Sequence, residues 1–597
     1  MIQDVPSTVR GAASFVELLR ARAADRPVAP LYTFLAGGEE EAGTLGAAGL
    51  DLRARGLAAT LQQSGAAGER ALLLFPPGLD FITAFFGCLY AGAVAVPAYP
   101  PRAERIDPRL EEIVRDCRPR FVLTTAAILA RLRSRGAGTD LGGLQDARWI
   151  AIDEAGTTGD SDAAEWQEPE LGPESLAFLQ YTSGSISAPK GVMVTHGNLL
   201  HNEGLIRRAF RQTESSVVVG WLPLYHDMGL IGNVLQPLYS GGQAVLMSPW
   251  AFLQSPARWL RAISRYRATT SGGPDFAYDL CTRRVRPEQR TGLDLSSWEV
   301  AFNGAEPVRA ETLERFAAAF APYGFRRDAF QPCYGLAEAT LLVSAGATGG
   351  GGGPVVLPVN PLALERGVAV ESDGPAGRRL VGCGRPGEEV RVVNPETAVP
   401  LGDGAVGEIW VAGPSVAAGY WERPGASAET FGARLAGEEG PPFLRTGDLG
   451  FLAVGELYVT GRIKDLIIVR GRNLYPQDIE RTAEGAHRAL RPGGGAAFSV
   501  EVDGEERLVV AAEVERRSES EAPRAAAAVR RAVVEEHEVQ VHEVVLLAAG
   551  TLPRTSSGKV RRGACRAAYL AGGGLEVVGR SAPAGSLGEV EEDLPGL

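Results

Sequence analysis

From its first residues to about Ile463 the chain alternates short apolar runs with longer amphipathic stretches, and this alternation limits the fold more than any other feature. RALLLFPP (from Arg70), AVAVPAY (from Ala93), RFVLTTA (from Arg120), WIAID (from Trp149), SVVVGWLPL (from Ser216), AVLMSP (from Ala244) and WEVAFNG (from Trp298) read as buried strands. PRLEEIVRDCRP, SPARWLRAISRYR and RAETLERFAAAFAPYG read as helices between them. A strand covered on both faces is continuously apolar, whereas a covering helix keeps one polar side, so the pattern predicts mostly parallel sheets layered with helices. TGGGGGP, Thr348 to Pro354, opens an irregular segment to about Leu380, and GEEVRVVN, GEIWVAG and ELYVTGR then predict an antiparallel β subdomain. After Gly461-Arg462-Ile463 a compact α/β pattern begins, with DLIIVRG, a helix after YPQDIE, two strands, an alanine-rich helix near Arg524 to Glu536, and HEVVLLAAG. The expected division is a large N-terminal domain over 1–463, a small mobile α/β domain over 464–575, and a disordered tail over 576–597.

A length of 597 residues accommodates one multilayer domain plus a smaller one. A net charge of -12 excludes a general nucleic-acid binder, which needs a basic field. The six cysteines, at 88, 117, 281, 333, 383 and 565, have no C-x-x-C spacing, which predicts reduced thiols, no zinc site and a cytoplasmic setting. MIQDVPSTVR does not read as a secretory signal. The charge-free stretch from Phe81 to Pro101 is broken by Gly87, Gly92, Pro97, Pro100 and Pro101, so it predicts a buried helix followed by a strand rather than a transmembrane segment.

The segment with most chemistry is YTSGSISAPKGVMVTH, Tyr181 to His196. Gly184 and Gly191 permit backbone conformations in which N–H groups converge on phosphate oxygens; Thr182, Ser183, Ser185 and Ser187 add donors, and Lys190 adds a mobile positive charge. The order differs from a Walker loop, since the lysine lies between Pro189 and Gly191.

Seven further segments follow: GWLPLYHDMGLIG (from Gly220), SGGPDFAYDLC (from Ser271), FNGAEPV (from Phe302), CYGLAEAT (from Cys333), FLRTGDLG (from Phe443), GRIKDLIIVRGRNLYPQDIE (from Gly461) and LPRTSSGKVRR (from Leu552). In this order the set resembles the acyl-adenylate-forming superfamily, and its wording is most similar to the fatty acyl-AMP ligases. The resemblance implies that a medium- or long-chain fatty acid and ATP give acyl-AMP and pyrophosphate. The acyl group then passes to the phosphopantetheine thiol of a separate acyl carrier protein, in a polyketide or peptide synthase setting.

The resemblance also implies site roles. Thr182, Ser183, Gly184, Ser185 and Lys190 bind the ATP phosphates, and Glu338 holds Mg2+, for which one carboxylate plus waters is an ordinary shell. Gly304, Ala305, Glu306 and Pro307 line the adenine edge, Tyr334 and Gly335 face its plane, and Asp448 with Arg462 serves the ribose. His226, Gly273 and Phe276 belong to the acyl pocket, Lys464 to the hinge. Lys559 is the mobile cation brought up for adenylation and withdrawn for the next half-reaction.

Two departures from the family's wording stand in the phosphate loop, Ile186 in place of threonine and Ser187 in place of the following glycine, and they leave alternatives open. Ile186 stands where relatives carry threonine, removing a hydroxyl near the phosphates, so a weakened or silent adenylate-binding protein is one alternative. Asp275 follows Pro274 in a context unlike the aspartate that pairs with an amino-acid substrate, so an apolar acyl chain fits better. The segment 345–381 resembles the insertion that distinguishes fatty acyl-AMP ligases from acyl-CoA synthetases, the other alternative.

Overall fold

The structure, a computed structural model, describes residues 11–100, 108–134, 143–154, 163–181, 189–346, 353–374, 377–469, 472–502, 505–555 and 558–581. The expected layering is present. A six-stranded sheet runs in the order Arg148–Ala151, Phe121–Thr124, Arg70–Leu74, Val94–Ala98, Leu176–Tyr181, Gly191–Thr195, parallel except for its last pair. A nine-stranded sheet is parallel through its interior, in the order Phe330–Gly335, Val300–Asn303, Thr270–Gly273, Val217–Gly220, Gln243–Met247, Pro30–Ala36. Antiparallel strands close both of its edges.

The charge-free stretch forms the helix Leu79–Tyr90, buried from Phe81 onward, and then the buried strand Val94–Ala98. Among the described residues no helix is long and apolar enough to cross a membrane. Helices Ala257–Tyr266, Asp275–Arg284 and Ala310–Phe320 pack on sheet residues Val219, Val245 and Ala301 through Trp259, Tyr278 and Phe316. Trp298 joins them, its ring centroid 5.3 Å from that of Trp259 at 75°. Edge-to-face pairs of this kind add about 1 kcal/mol each to the burial of such large rings, so this cluster fixes the helices that carry the site motifs.

The antiparallel sheet Glu389–Val393, Gly407–Ala412, Leu444–Ala453, Glu456–Arg462 follows as expected. After Arg462 come a short 3-10 turn, Ile463–Asp465, and the pair Ile467–Val469 and Arg472–Leu474. Beyond them, a sheet of Leu490–Val502, Glu505–Val514, Val541–Leu547 and Val577–Arg580 is covered by helices Pro476–Gly485 and Ala522–His537.

Two expectations change. Val577–Arg580, assigned to a disordered tail, is the edge strand of that last sheet, because Val577 and Val578 pack on its two apolar clusters and Arg580 pairs with Glu543 at 3.1 Å. The segment before Leu380 is less irregular than the glycine run suggests: Val356–Val359 pairs with Arg378–Val381 around the short helix Pro361–Glu365. All six cysteines are free thiols, and only Cys333 is not fully buried.

Candidate adenylate-forming site

Four neighbouring parallel strands of the large sheet deliver the motifs to one edge. His226 follows Val217–Gly220, Gly273 ends Thr270–Gly273, Gly304 follows Val300–Asn303, and Glu338 follows Phe330–Gly335. Parallel neighbours lie about 4.8 Å apart and end on the same side, so segments 30 to 60 residues apart in sequence meet in one crevice at the strands' carboxyl ends.

The phosphate-binding candidates Thr182, Ser183, Gly184 and Ser185, with Ile186, lie outside the described residues. The flanks are placed: strand Leu176–Tyr181 turns back as Gly191–Thr195, with Tyr181 opposite Gly191. Gly191 was expected to serve phosphate binding, but its position is explained by packing: a Cβ there would stand 2.9 Å from the Tyr181 ring. Lys190, half-buried, holds its Nζ 4.4 Å from the centroid of the Tyr420 ring. The Tyr420 hydroxyl donates to Glu338 Oε1 at 2.9 Å. Burial pushes the Glu338 carboxyl above its usual range, with Tyr420 and Arg462 partly offsetting it.

Asp448 and Arg462 face each other across the strands Leu444–Ala453 and Glu456–Arg462, and Arg462 Nε donates to Asp448 Oδ1 at 2.7 Å. The Tyr334 hydroxyl donates to Oδ2 at 2.8 Å. Asp448 is 5% exposed, so these charge-assisted bonds hold its carboxylate in one orientation. Tyr334, expected to offer a face to adenine, is itself buried among Ala339, Val343, Ile409 and Leu444. Gly335 leads directly into the 3-10 turn Ala337–Ala339 that carries Glu338.

In the Gly304-Ala305-Glu306-Pro307 turn, Ala305 adopts φ 68° and Pro307 is exposed. The turn contributes more than backbone: Glu306 Oε1 accepts from the N–H of Phe276 at 2.7 Å, capping the helix Asp275–Arg284. Gly273 is required by packing, since a Cβ would lie 2.6 Å from the Trp221 indole, whose ring meets Phe276 edge-on at 6.1 Å. His226 Nδ1 lies 2.5 Å from Asp227 Oδ1, which also accepts from the N–H of Met228 at 2.7 Å. Burial works against the Asp227 charge, but His226, that N–H and Lys559 bring its carboxyl below the usual range. Asp275 is 3% exposed; its oxygens accept from Asn303 Nδ2 (3.1 Å), the N–H of Arg309 (3.2 Å) and the Thr312 hydroxyl (2.9 Å). It therefore ties helices to the sheet and has no free face for a substrate ammonium.

Lys559 comes to the same crevice from the C-terminal part of the chain. Its N–H donates to Thr555 Oγ1 at 3.0 Å, and a Cβ on the preceding Gly558 would sit 3.9 Å from the Phe276 ring. Burial and Arg462 lower its ammonium pKa, while Asp227, Glu306 and Asp448 oppose them. Lys190, Glu338, Asp448 and Lys559, spread over 370 positions of sequence, thus share one electrostatic neighbourhood.

Lys464 is exposed on the turn Ile463–Asp465 between the two parts of the chain. Two ion pairs bridge the segment before Val381 to the part beyond Lys464. Arg472 grips Glu365 through Nε and Nη2 at 2.9 and 3.1 Å, and Arg378 lies 3.0 Å from Asp478 with its guanidinium 4.6 Å from the Tyr475 ring. Sequence reasoning missed Tyr420, Asp227, Glu365 and Arg472. Tyr420 stands in AAGYWERP, which carries no charge pattern or phosphate-loop signal pointing to the crevice.

Among the described residues no three His, Cys, Asp or Glu side chains gather as a metal cage. Glu338 alone fits a hard dication that retains water and substrate oxygens, because it is a half-buried oxygen donor whose charge partial desolvation disfavours.

A family model described as AMP-binding enzyme matches residues 19–421, and one described as Disco-interacting protein 2-like, AMP domain, matches residues 464–575. The chain is 48% identical over 569 residues to the medium-chain-fatty-acid–[acyl-carrier-protein] ligase JamA of Moorena producens, covering 94% of this chain and 95% of that protein. It is 39% identical over 572 residues to the long-chain-fatty-acid–AMP ligase FadD32 of Mycolicibacterium smegmatis, covering 87% and 88%. The solved fatty acyl-adenylate ligase of Legionella pneumophila, in complex with acyl adenylate and pyrophosphate, is similar at TM-score 0.75 and 42% identity, covering 97% of this chain and 99% of that one. On motif order, strand-end geometry and these likenesses together, the chain belongs to the adenylate-forming AMP-binding enzymes.

Proposed function

We propose that this protein is a fatty acid–AMP ligase that activates a medium- or long-chain fatty acid with ATP and then acylates a carrier protein. The observation that carries it is the convergence of Lys190, Glu338, Asp448 and Lys559 on one crevice beside the apolar surface of Trp221 and Phe276. The names of the relatives, a fatty-acid–[acyl-carrier-protein] ligase and a fatty-acid–AMP ligase, support it.

In the first half-reaction a carboxylate oxygen of the fatty acid attacks the α-phosphorus, and the bond to the bridging oxygen of pyrophosphate breaks. Two anions must approach, so the site works by placing positive charge where negative charge accumulates. Lys190 faces the β- and γ-phosphates with the loop 182–185, Lys559 lies between the carboxylate and the α-phosphate, and Asp448, oriented by Arg462 and Tyr334, accepts from the ribose hydroxyls. The turn 304–307 flanks adenine, His226, Gly273 and Phe276 border the acyl chain, and Glu306 fixes the helix that carries Phe276. A magnesium ion held by Glu338 would supply charge neutralisation for the triphosphate. In the second half-reaction a phosphopantetheine thiol attacks the acyl carbonyl carbon, its proton is released, and AMP leaves. Lys559 withdraws as the part beyond the Lys464 hinge moves, and the Glu365–Arg472 and Arg378–Asp478 pairs restrain that motion in a way that disfavours free CoA as acceptor. Free cysteines fit a cytoplasmic protein, and a polyketide or lipopeptide synthase supplies the carrier.

The test is to incubate the protein with ATP, a fatty acid series and CoA. Acyl-AMP accumulating without acyl-CoA, and acyl transfer on adding a phosphopantetheinylated carrier, is the expected outcome; acyl-CoA as the main product refutes the acceptor assignment. ATP–pyrophosphate exchange addresses Ile186: a missing hydrogen bond to a charged group is worth about 1.5 to 3 kcal/mol, so Ile186→Thr should raise exchange at least about tenfold. No exchange in the parent chain, with recovery in Ile186→Thr, would indicate a silenced enzyme.

A further inference from the structure

Lys190 and Glu338 carry opposite charges, approach the same aromatic ring, and form no ion pair with each other among the described residues. We infer that Tyr420 is a positioning residue that keeps these two groups apart and separately available, the ammonium for phosphate and the carboxylate for a cation. The inference rests on the roles proposed for Lys190 and Glu338.

The ring offers two different surfaces. Its π face attracts the Lys190 ammonium at 4.4 Å, and its hydroxyl donates to Glu338 Oε1 at 2.9 Å. Tyr420 is 6% exposed and its ring meets Phe431 edge-on at 5.1 Å. Its backbone is pinned to both partners' elements. Trp421 N–H donates to Gly191 O at 2.8 Å, Met193 N–H to Gly419 O at 2.9 Å, and Ala417 N–H to Glu338 O at 2.9 Å. The N–H of Tyr420 itself donates to Ser427 Oγ at 2.9 Å. The ring therefore has little freedom to turn, and the two charges are held at separate points on it.

An ammonium and a carboxylate that are both half-buried in one crevice attract each other, and direct pairing would neutralise both before substrate arrives. Placing a phenol between them satisfies each with a contact that a stronger partner displaces: triphosphate from the ring face, and a dication at the carboxylate.

Two substitutions separate the two surfaces. Tyr420→Phe keeps the ring and its packing but removes the hydroxyl; Tyr420→Leu removes both. Mg2+ dependence of acyl-AMP formation reads the carboxylate, and calorimetric binding of pyrophosphate without Mg2+ reads the lysine independently of turnover. The expected results are a half-saturating Mg2+ concentration changed at least about fivefold in Tyr420→Phe, with metal-free pyrophosphate binding within twofold of the parent. Tyr420→Leu should in addition weaken metal-free pyrophosphate binding at least about fivefold. An unchanged Mg2+ requirement in Tyr420→Phe overturns the inference, as does unchanged pyrophosphate binding in a folded Tyr420→Leu; if the leucine variant does not fold, the phenylalanine variant decides alone. Parent protein that binds pyrophosphate but forms no acyl-AMP would instead refute the proposed function.

Discussion

Replacing Glu365 by Gln and Asp478 by Asn together removes the charges that join the segment before Val381 to the part of the chain beyond Lys464, while keeping side-chain shape. The magnitude follows from exposure. Arg472 and Glu365 are 30% and 14% exposed, Arg378 and Asp478 9% and 16%. Fully exposed pairs contribute about 0 to 1 kcal/mol, and breaking a buried pair costs about 3 to 5 kcal/mol. With solvent screening taken into account, these largely but not fully covered pairs contribute about 1.5 kcal/mol each. Their joint loss, about 3 kcal/mol, would favour by roughly a hundredfold the arrangement in which Lys559 is withdrawn. The assay is paired: acyl-AMP formation without acceptor, and acyl-CoA formation at fixed CoA. Because neither carboxylate lies in the crevice, adenylation should stay within about threefold of the parent while acyl-CoA formation rises by one to two orders of magnitude. Limited proteolysis at the Ile463–Asp465 turn should accelerate in parallel, as the restraint is lost. Faster cleavage with no gain in acyl-CoA would show that these pairs restrain the hinge without selecting the acceptor. Unchanged cleavage and unchanged acyl-CoA would refute the clamp altogether.

Lys559→Ala should lower acyl-AMP formation by about 100- to 1,000-fold, the usual effect of removing one charge-stabilising group, while transfer from supplied acyl-AMP to carrier stays near the parent rate; equal loss in both half-reactions would place the lysine in substrate binding generally. Asp275 gives a pH signature. Burial, with Glu306 nearby, pushes its carboxyl up to about 7, so the folded chain keeps a proton that the unfolded chain has already lost near pH 4. Its contribution is therefore fully present at low pH and declines as pH rises toward 7, at up to about 1.4 kcal/mol per pH unit. Asp275→Asn cannot titrate and can still donate to Thr312, so the denaturation midpoint of the variant relative to the parent should climb from pH 5 to 7 and level off by pH 8. A difference independent of pH would contradict the raised carboxyl.

Strands and helices of the N-terminal part are written locally. LLLF, VAVPA and VVVG are apolar throughout because both sheet faces are covered, and Glu111, Glu112 and Arg115 mark the outer side of a helix. The carboxyl-end loops are legible as well, because phosphate and ribose chemistry demands Gly, Ser, Lys and Asp, residue types that stand out from a hydrophobic background. Less legible was Val577–Arg580, whose short VVGR run gains an energetic reason only when a sheet edge and Glu543 are already in place. Tyr420 was illegible for a similar reason: a lone tyrosine has no local periodicity, and its importance comes from a lysine 230 positions and a glutamate 82 positions earlier.

By itself, the amino-acid sequence determined the layered α/β architecture, the order of the nucleotide motifs and the chemical types in the crevice, since burial periodicity and phosphate recognition are both short-range demands on residue type. The tertiary structure alone decided which charges face one another. Asp448 is oriented by Tyr334 and Arg462, Glu306 caps a helix, Asp275 is enclosed, and Glu365 and Asp478 hold Arg472 and Arg378. Electrostatic energy depends on separation in space and on exclusion of water, and neither is fixed until distant segments have packed.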